Sequence, residues 1–158
     1  MLRAKPSRKN AHATAAPDRL IQSLMKLEFA LIAILAVWPF PSGKDYRLAA
    51  DPSVPAATGT VHAQRDKDNQ NTKLDIKVDH LAKPDNLTPP ATTYLVWIRP
   101  GGGDPVKQGA IGVDKDLKGE LHAVTVAKNF DLFITAEQGD TVTVPSSTQV
   151  LRTHVSMD

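Results

Sequence analysis

Residues 73–81 read KLDIKVDHL, and the alternation in that stretch decides the fold. Leu74, Ile76 and Val78 fall on one side of an extended chain, and Asp75, Lys77 and Asp79 fall on the other. Such a strand packs its apolar side against a core and leaves its charged side in water. On the C-terminal side, residues 92–99 (TTYLVWIR) are rich in β-branched and aromatic side chains, as a central strand should be. The run Gly101-Gly102-Gly103-Asp104-Pro105 then breaks it. On the N-terminal side, residues 57–64 place Thr58, Thr60 and His62 opposite to Gly59, Val61 and Ala63. Further strands are predicted at 106–113, 119–126, 129–137 and 148–156, and Phe130, Leu132 and Ile134 share a face within the sixth. Seven short strands punctuated by Gly and Pro, with no amphipathic helix among them, predict an all-β, immunoglobulin-like β-sandwich over residues 57–158. A closed barrel is the structural alternative.

The rest of the chain has a different character. Residues 27–38 (LEFALIAILAVW) form its one strongly apolar run, with Lys26 before it and Pro39 after it. Residues 1–50 carry eight Lys/Arg against three acids, a balance of +5, whereas residues 51–158 carry eleven against fourteen, a balance of −3. The basicity therefore belongs to the head, and a nucleic-acid-binding surface on the body is not expected. A positive stretch followed by a 12-residue apolar run has the form of a secretory signal, and Met25-Lys26 would be an ordinary beginning for one. Residues 1–24 then read as an extended n-region or as an upstream mis-assigned start. Small-residue cleavage sites occur at residues 48–50 and 54–56, further from the apolar run than usual. Counting residues 20–40 approaches the roughly 20 apolar residues of a full span, so a single-pass anchor stands beside the cleavable signal. Either way, the Lys/Arg excess before the apolar run leaves the body outside the membrane.

The expected organisation is thus a basic head or extended n-region at 1–26, a signal h-region or membrane anchor helix at 27–40, a Pro-rich linker at 41–56 and the β domain at 57–158. The protein is expected to be extracytoplasmic, in the periplasm or cell envelope, secreted or singly anchored. The absence of cysteine excludes lipid attachment at a cleavage-site Cys, disulfides, cysteine nucleophiles and thiolate zinc sites.

The succession Thr93-Tyr94-Leu95-Val96-Trp97-Ile98, Gln108-Gly109-Ala110-Ile111, residues 133–140 (FITAEQGD) and Val144-Pro145 resembles the extracytoplasmic C-terminal domain of anti-sigma-K factors. The resemblance covers roughly residues 56–152 and rests on short structural motifs. It implies a β domain outside the membrane with a binding or sensing role, and no catalytic residue. Full members carry a cytosolic helical domain with His and Cys ligands before the span. This chain has no Cys, and its head of 24 to 26 residues is too short for such a domain, so the sigma-binding part does not carry over.

Several residues invite chemistry and have plainer readings. His62, His80, His122 and His154 sit in or beside strands, where imidazoles from neighbouring strands could hold zinc or copper, although no pair has local ligand spacing. The triglycine 101–103 precedes another strand rather than a helix, which favours a hairpin over a phosphate cradle. Asp85-Asn86 and Gly139-Asp140 read as turns. Ser146-Ser147 lacks the Gly-x-Ser-x-Gly elbow of a hydrolase. Asp66/Asp68 and Asp114/Asp116 lack the rest of a calcium loop, and Lys115 and Lys118 dilute the second pair. Tyr94 and Trp97 fall on opposite faces, and Trp97 resembles the tryptophan buried between the sheets of many sandwiches.

The expected function is therefore non-enzymatic: an exported or membrane-anchored β-sandwich module that binds or senses at the cell envelope. No catalytic residue, cofactor or metal ligand is assigned. The expected partner is an envelope protein or ligand, not nucleic acid, with the membrane engaged through residues 27–40 if that segment is uncleaved. Strand edges and the loops at 101–105 and 138–141 are the expected contact points. The alternatives are a single-pass regulator related to anti-sigma factors and a histidine-based periplasmic metal-binding protein.

Overall fold

Where the alternation of residues 73–81 predicts a half-buried strand, a computed structural model has β3 at Thr72–Asp79, with Leu74, Ile76 and Val78 each 1% exposed or less. The structure describes residues 43–157; the head and the signal or anchor segment at 27–40 lie outside the described residues. The described strands are β1 (Gly43–Ala50), β2 (Thr58–Arg65), β3, β4 (Thr93–Pro100), β5 (Val106–Ile111), β6 (Gly119–Thr125), β7 (Asn129–Glu137) and β8 (Gln149–Ser156). A 3-10 turn at Pro84–Asn86 lies in the crossover from β3 to β4. No helix among the described residues is long and apolar enough to cross a membrane.

All neighbouring strands are antiparallel, in the order β5-β4-β7-β8-β1-β2-β3-β6. The eight strands make one nearly closed sheet. Its two ends, β5 and β6, come together without a ladder of hydrogen bonds. A Cβ added at Gly119 would lie 2.6 Å from the Gly112 carbonyl oxygen, and one added at Gly109 would lie 3.3 Å from Leu121 Cδ1. The strand edges expected as contact points therefore cover each other at these positions.

Inside, one continuous core runs from Leu48 through Val61, Ile76, Tyr94, Ile98 and Leu132 to Val155. Burying each large apolar side chain contributes roughly 1.5–3 kcal/mol. Tyr94 belongs to this core and donates its hydroxyl to the Ala82 carbonyl at 2.8 Å. Trp97 does not. It packs with Leu95 and Phe133 in a second cluster on the outer face of β4 and β7, under Val142 of the β7–β8 connection. The inter-sheet position expected for Trp97 is thus corrected: three residues along a strand reverse the face, and Tyr94 takes the inside.

The stretch 41–56, expected as a linker, contributes β1 instead. Gly43 through Leu48 pair with β2, while Ala49 and Ala50 pair with Arg152 and Leu151 of β8. β1 thus joins both halves of the sheet, and Leu48 is buried in the core. The Pro residues at 39, 41, 52 and 55 flank the strand and do not interrupt it, as the loss of backbone donors at Pro demands. Cleavage at residues 48–50 or 54–56 would take this strand away from both of its neighbours. With Lys44, Asp45 and Arg47 counted in, the balance of the body changes from −3 to −2.

Candidate functional site

With the interior filled, the polar residues are arranged in rows across the outer face of the sheet. Side chains directly opposite on adjacent strands are neighbours, and the register decides which meet.

On one half, Asp45 of β1 lies opposite His62 of β2, His62 opposite Asp75 of β3, and Asp75 opposite His122 of β6. Acid and imidazole alternate across four strands. His62 Nδ1 is 2.6 Å from Asp45 Oδ1, and His122 Nδ1 is 2.5 Å from Asp75 Oδ1. Lys77 and Glu120, opposite one another on β3 and β6, form the adjoining row, with Glu120 3.6 Å from His122 Nε2 and 3.5 Å from Lys77 Nζ. These pairs are exposed, so water screens them and each is worth at most about 1 kcal/mol. Adjacent strands stand roughly 4.8 Å apart, which separates His62 from His122 by two spacings. No group of three or more His, Cys, Asp or Glu among the described residues could hold a metal ion. His80 stands apart, in the left-handed region (φ 55°) just after β3, and His154 pairs with Asp131 on the other half at 2.8 Å. The four histidines that suggested a metal site thus fall in three places, with His62 and His122 two strands apart in one row, and three of the four are tied to a carboxylate.

On that other half, β4, β7, β8 and β1 carry two adjoining rows. Arg99, Asp131 and His154 form one, by the pairings Arg99 to Asp131 and Asp131 to His154. Trp97, Phe133, Arg152 and Ala49 form the next. Between these rows and Arg47 of β1 opens a groove of about 580 Å³. Its floor includes Phe133, 2% exposed, and the Arg99 guanidinium lies 5.1 Å from the centre of that ring, within cation–π range. The groove also lies at the end of the β1–β8 ladder, which stops after Ala49–Arg152 and Ala50–Leu151.

The charges there are unequal. Arg47, Arg99 and Arg152 all line the groove, and Asp131 is its one carboxylate. Asp131 is taken up by His154. Ion pairs between described residues involve Lys and His, and none of the three guanidiniums has a carboxylate within pairing distance. Asp51 is held below the usual carboxylate range chiefly by the Ser53 backbone N–H, and Arg152 adds a small attraction from a distance.

The expected contact loops are tied down. Gly103 N–H donates to the Pro100 carbonyl at 2.7 Å, closing the 101–105 hairpin turn with Gly102 at φ 81°. Lys107 Nζ donates to the Asp140 and Val142 carbonyls at 2.6 and 2.9 Å, and Gln138 Nε2 donates to Pro90 O at 2.7 Å. The Asp-x-Asp pairs cap turns: Asp66 accepts from Asp68 N–H and pairs with Lys73, and Asp114 accepts from Asp116 and Lys118 N–H. Those bonds hold the Asp66 carboxyl below its ordinary range, the Asp68 N–H first and Lys73 second. Ser146 N–H donates to the buried Glu137 carboxylate at 2.8 Å, a structural tie in the β7–β8 connection.

Sequence reading did not find the arginine groove. Its three cations stand at positions 47, 99 and 152, on strands that become neighbours only through the order β4-β7-β8-β1. The signal available was that Arg47, Arg99 and Arg152 all occupy outward positions of their strands, and that signal needs β1 to be recognised first. The chain matches no protein-family model, and no curated protein matches it.

Proposed function

We propose that the protein is a binding module of the cell envelope, exported or singly anchored, that meets its partner on the outer face of its sheet. One observation carries the binding part. The interior is packed with side chains, whereas an open outer groove of about 580 Å³ is set among three guanidiniums that have no carboxylate within pairing distance among the described residues. A preformed groove with unneutralised donors is suited to recognition, because binding there desolvates groups that then gain charged partners. Export rests on the sequence: the basic head and the apolar run at 27–38 directly precede the folded part. The immunoglobulin-like relationship rests on the strand punctuation, with β1 supplying one joined edge between the halves.

Intact mass and membrane partition of the natively expressed protein test the location. A membrane-bound species that keeps residues 27–38, or a released species that starts at or before Gly43, supports it. A full-length species free in the cytosol overturns it.

A further inference from the structure

We propose that the groove between Arg47, Arg99 and Arg152 is a docking site for an extended acidic peptide segment of a partner protein. This deepens the binding role above and rests on it.

The spacing of the charges comes first. β4 and β1 are three strand steps apart in the sheet order, and at roughly 4.8 Å per step Arg99 and Arg47 are based about 14 Å apart. A single phosphate or carboxylate spans too little to meet both. An extended chain advances about 3.3 Å per residue, so about five residues cross that distance, with alternate side chains facing the sheet. Carboxylates at every second position would meet Arg99, Arg152 and Arg47 in turn.

Chemistry favours a carboxylate. The guanidinium fork matches its planar geometry with two parallel hydrogen bonds, and the groove holds three forks with no carboxylate within pairing distance among the described residues. The remaining polar lining suits a peptide backbone: Gln149 and Thr153 offer both donors and acceptors, and Asp131 offers an acceptor for N–H groups. That same carboxylate disfavours a densely sulfated or phosphorylated polymer. Phe133 lies buried beneath Arg99 and presents no free face on which a nucleic-acid base could stack. Three cations and one anion are matched by a few spaced carboxylates.

The test uses the full-length chain in mild detergent and two labelled nine-residue peptides, one alternating Glu with Ser and the other with Gln in place of Glu. Fluorescence anisotropy at low salt should show saturable binding of the Glu peptide, no binding of the Gln peptide, and weakening as salt rises. The triple variant Arg47→Gln, Arg99→Gln, Arg152→Gln should lose at least tenfold in affinity. Amide shift changes in the wild-type protein on adding the Glu peptide should centre on Arg47, Phe133, Arg152 and His154, a readout that does not depend on the variant folding. Equal binding of both peptides, no binding at millimolar peptide, or shift changes confined to another face would overturn the proposal. So would a sulfated glycan that takes the groove in preference to the Glu peptide. Location is read separately: an envelope protein that ignores the peptide loses this proposal alone, and a cytosolic protein that binds it loses the envelope reading alone.

Discussion

Trp97 donates its indole N–H to Thr135 Oγ1 at 2.8 Å, and both residues are fully buried although they lie on the outside of the sheet. The β7–β8 connection covers them, held by Lys107. Thr135→Val keeps the shape and removes the acceptor, leaving a buried donor unpaired. The expected cost is about 1–3 kcal/mol, read as a lower urea midpoint by circular dichroism. Thr135→Ser should stay near wild type. A wild-type midpoint for Thr135→Val would show that the indole finds another partner.

Processing is constrained by the same structure that overturned the linker. Because Leu48 is buried and Gly43 through Ala50 pair on both sides, a mature protein beginning at Asp51 or Ala57 would lack a core strand. N-terminal sequencing of the native protein should find a start at or before Gly43. A purified and folded species starting at residue 51 would contradict the role of β1.

The meeting of β5 and β6 predicts an asymmetry between two glycines. A Cβ on Gly119 would lie 2.6 Å from the Gly112 backbone oxygen and 3.0 Å from Ile111 Cγ1, whereas one on Gly112 meets nothing within 4 Å. Gly119→Ala should cost about 1–3 kcal/mol through forced displacement of backbone, and Gly112→Ala should be close to neutral. Equal thermal midpoints for the two variants would show that the ends of the sheet part freely.

Alkaline pH should act through Tyr94. Burial first, and the nearby Asp85 second, push its hydroxyl up to about 12. The unfolded chain releases this proton near its ordinary value while the folded chain retains it. Stability from this residue is therefore complete below about pH 10 and declines as pH rises towards 12. Tyr94→Phe loses the bond to Ala82 O, costing roughly 1 kcal/mol at neutral pH. The stability difference between wild type and Tyr94→Phe should narrow above pH 10, and a constant difference in denaturant titrations up to pH 11.5 would refute the shift.

Legibility followed burial. β3 was readable because Leu74, Ile76 and Val78 alternate with charged neighbours, and β7 because Phe130, Leu132 and Ile134 recur at every second position. β1 was not readable, because of its eight residues only Leu48 is buried and only Tyr46 is half-buried. Its outward positions carry Asp45 and Arg47, which in isolation look like linker and head. The missed strand hid the groove, since Arg47 had no place in a sheet until β1 did. The acid and imidazole row was hidden for a related reason: Asp45, His62, Asp75 and His122 are adjacent by register alone, and register is a tertiary property set by which faces are buried.

The double membership of β1 also bears on the order in which the molecule can be completed. Tyr46 reaches the Ser156 carbonyl across 110 positions of sequence, and Ala50 pairs with Leu151. A chain delivered from its N-terminus, by a ribosome or through a translocation channel, presents β1 first and its β8 partner last. β1 and β2 can form their hairpin early, but the two halves of the sheet cannot be joined until nearly the whole body has emerged. Closing so long a loop is slow compared with local pairing. The two halves of the sheet therefore stay unjoined until the final strand arrives, and truncation within Gln149–Ser156 leaves β1 without the partner that joins them.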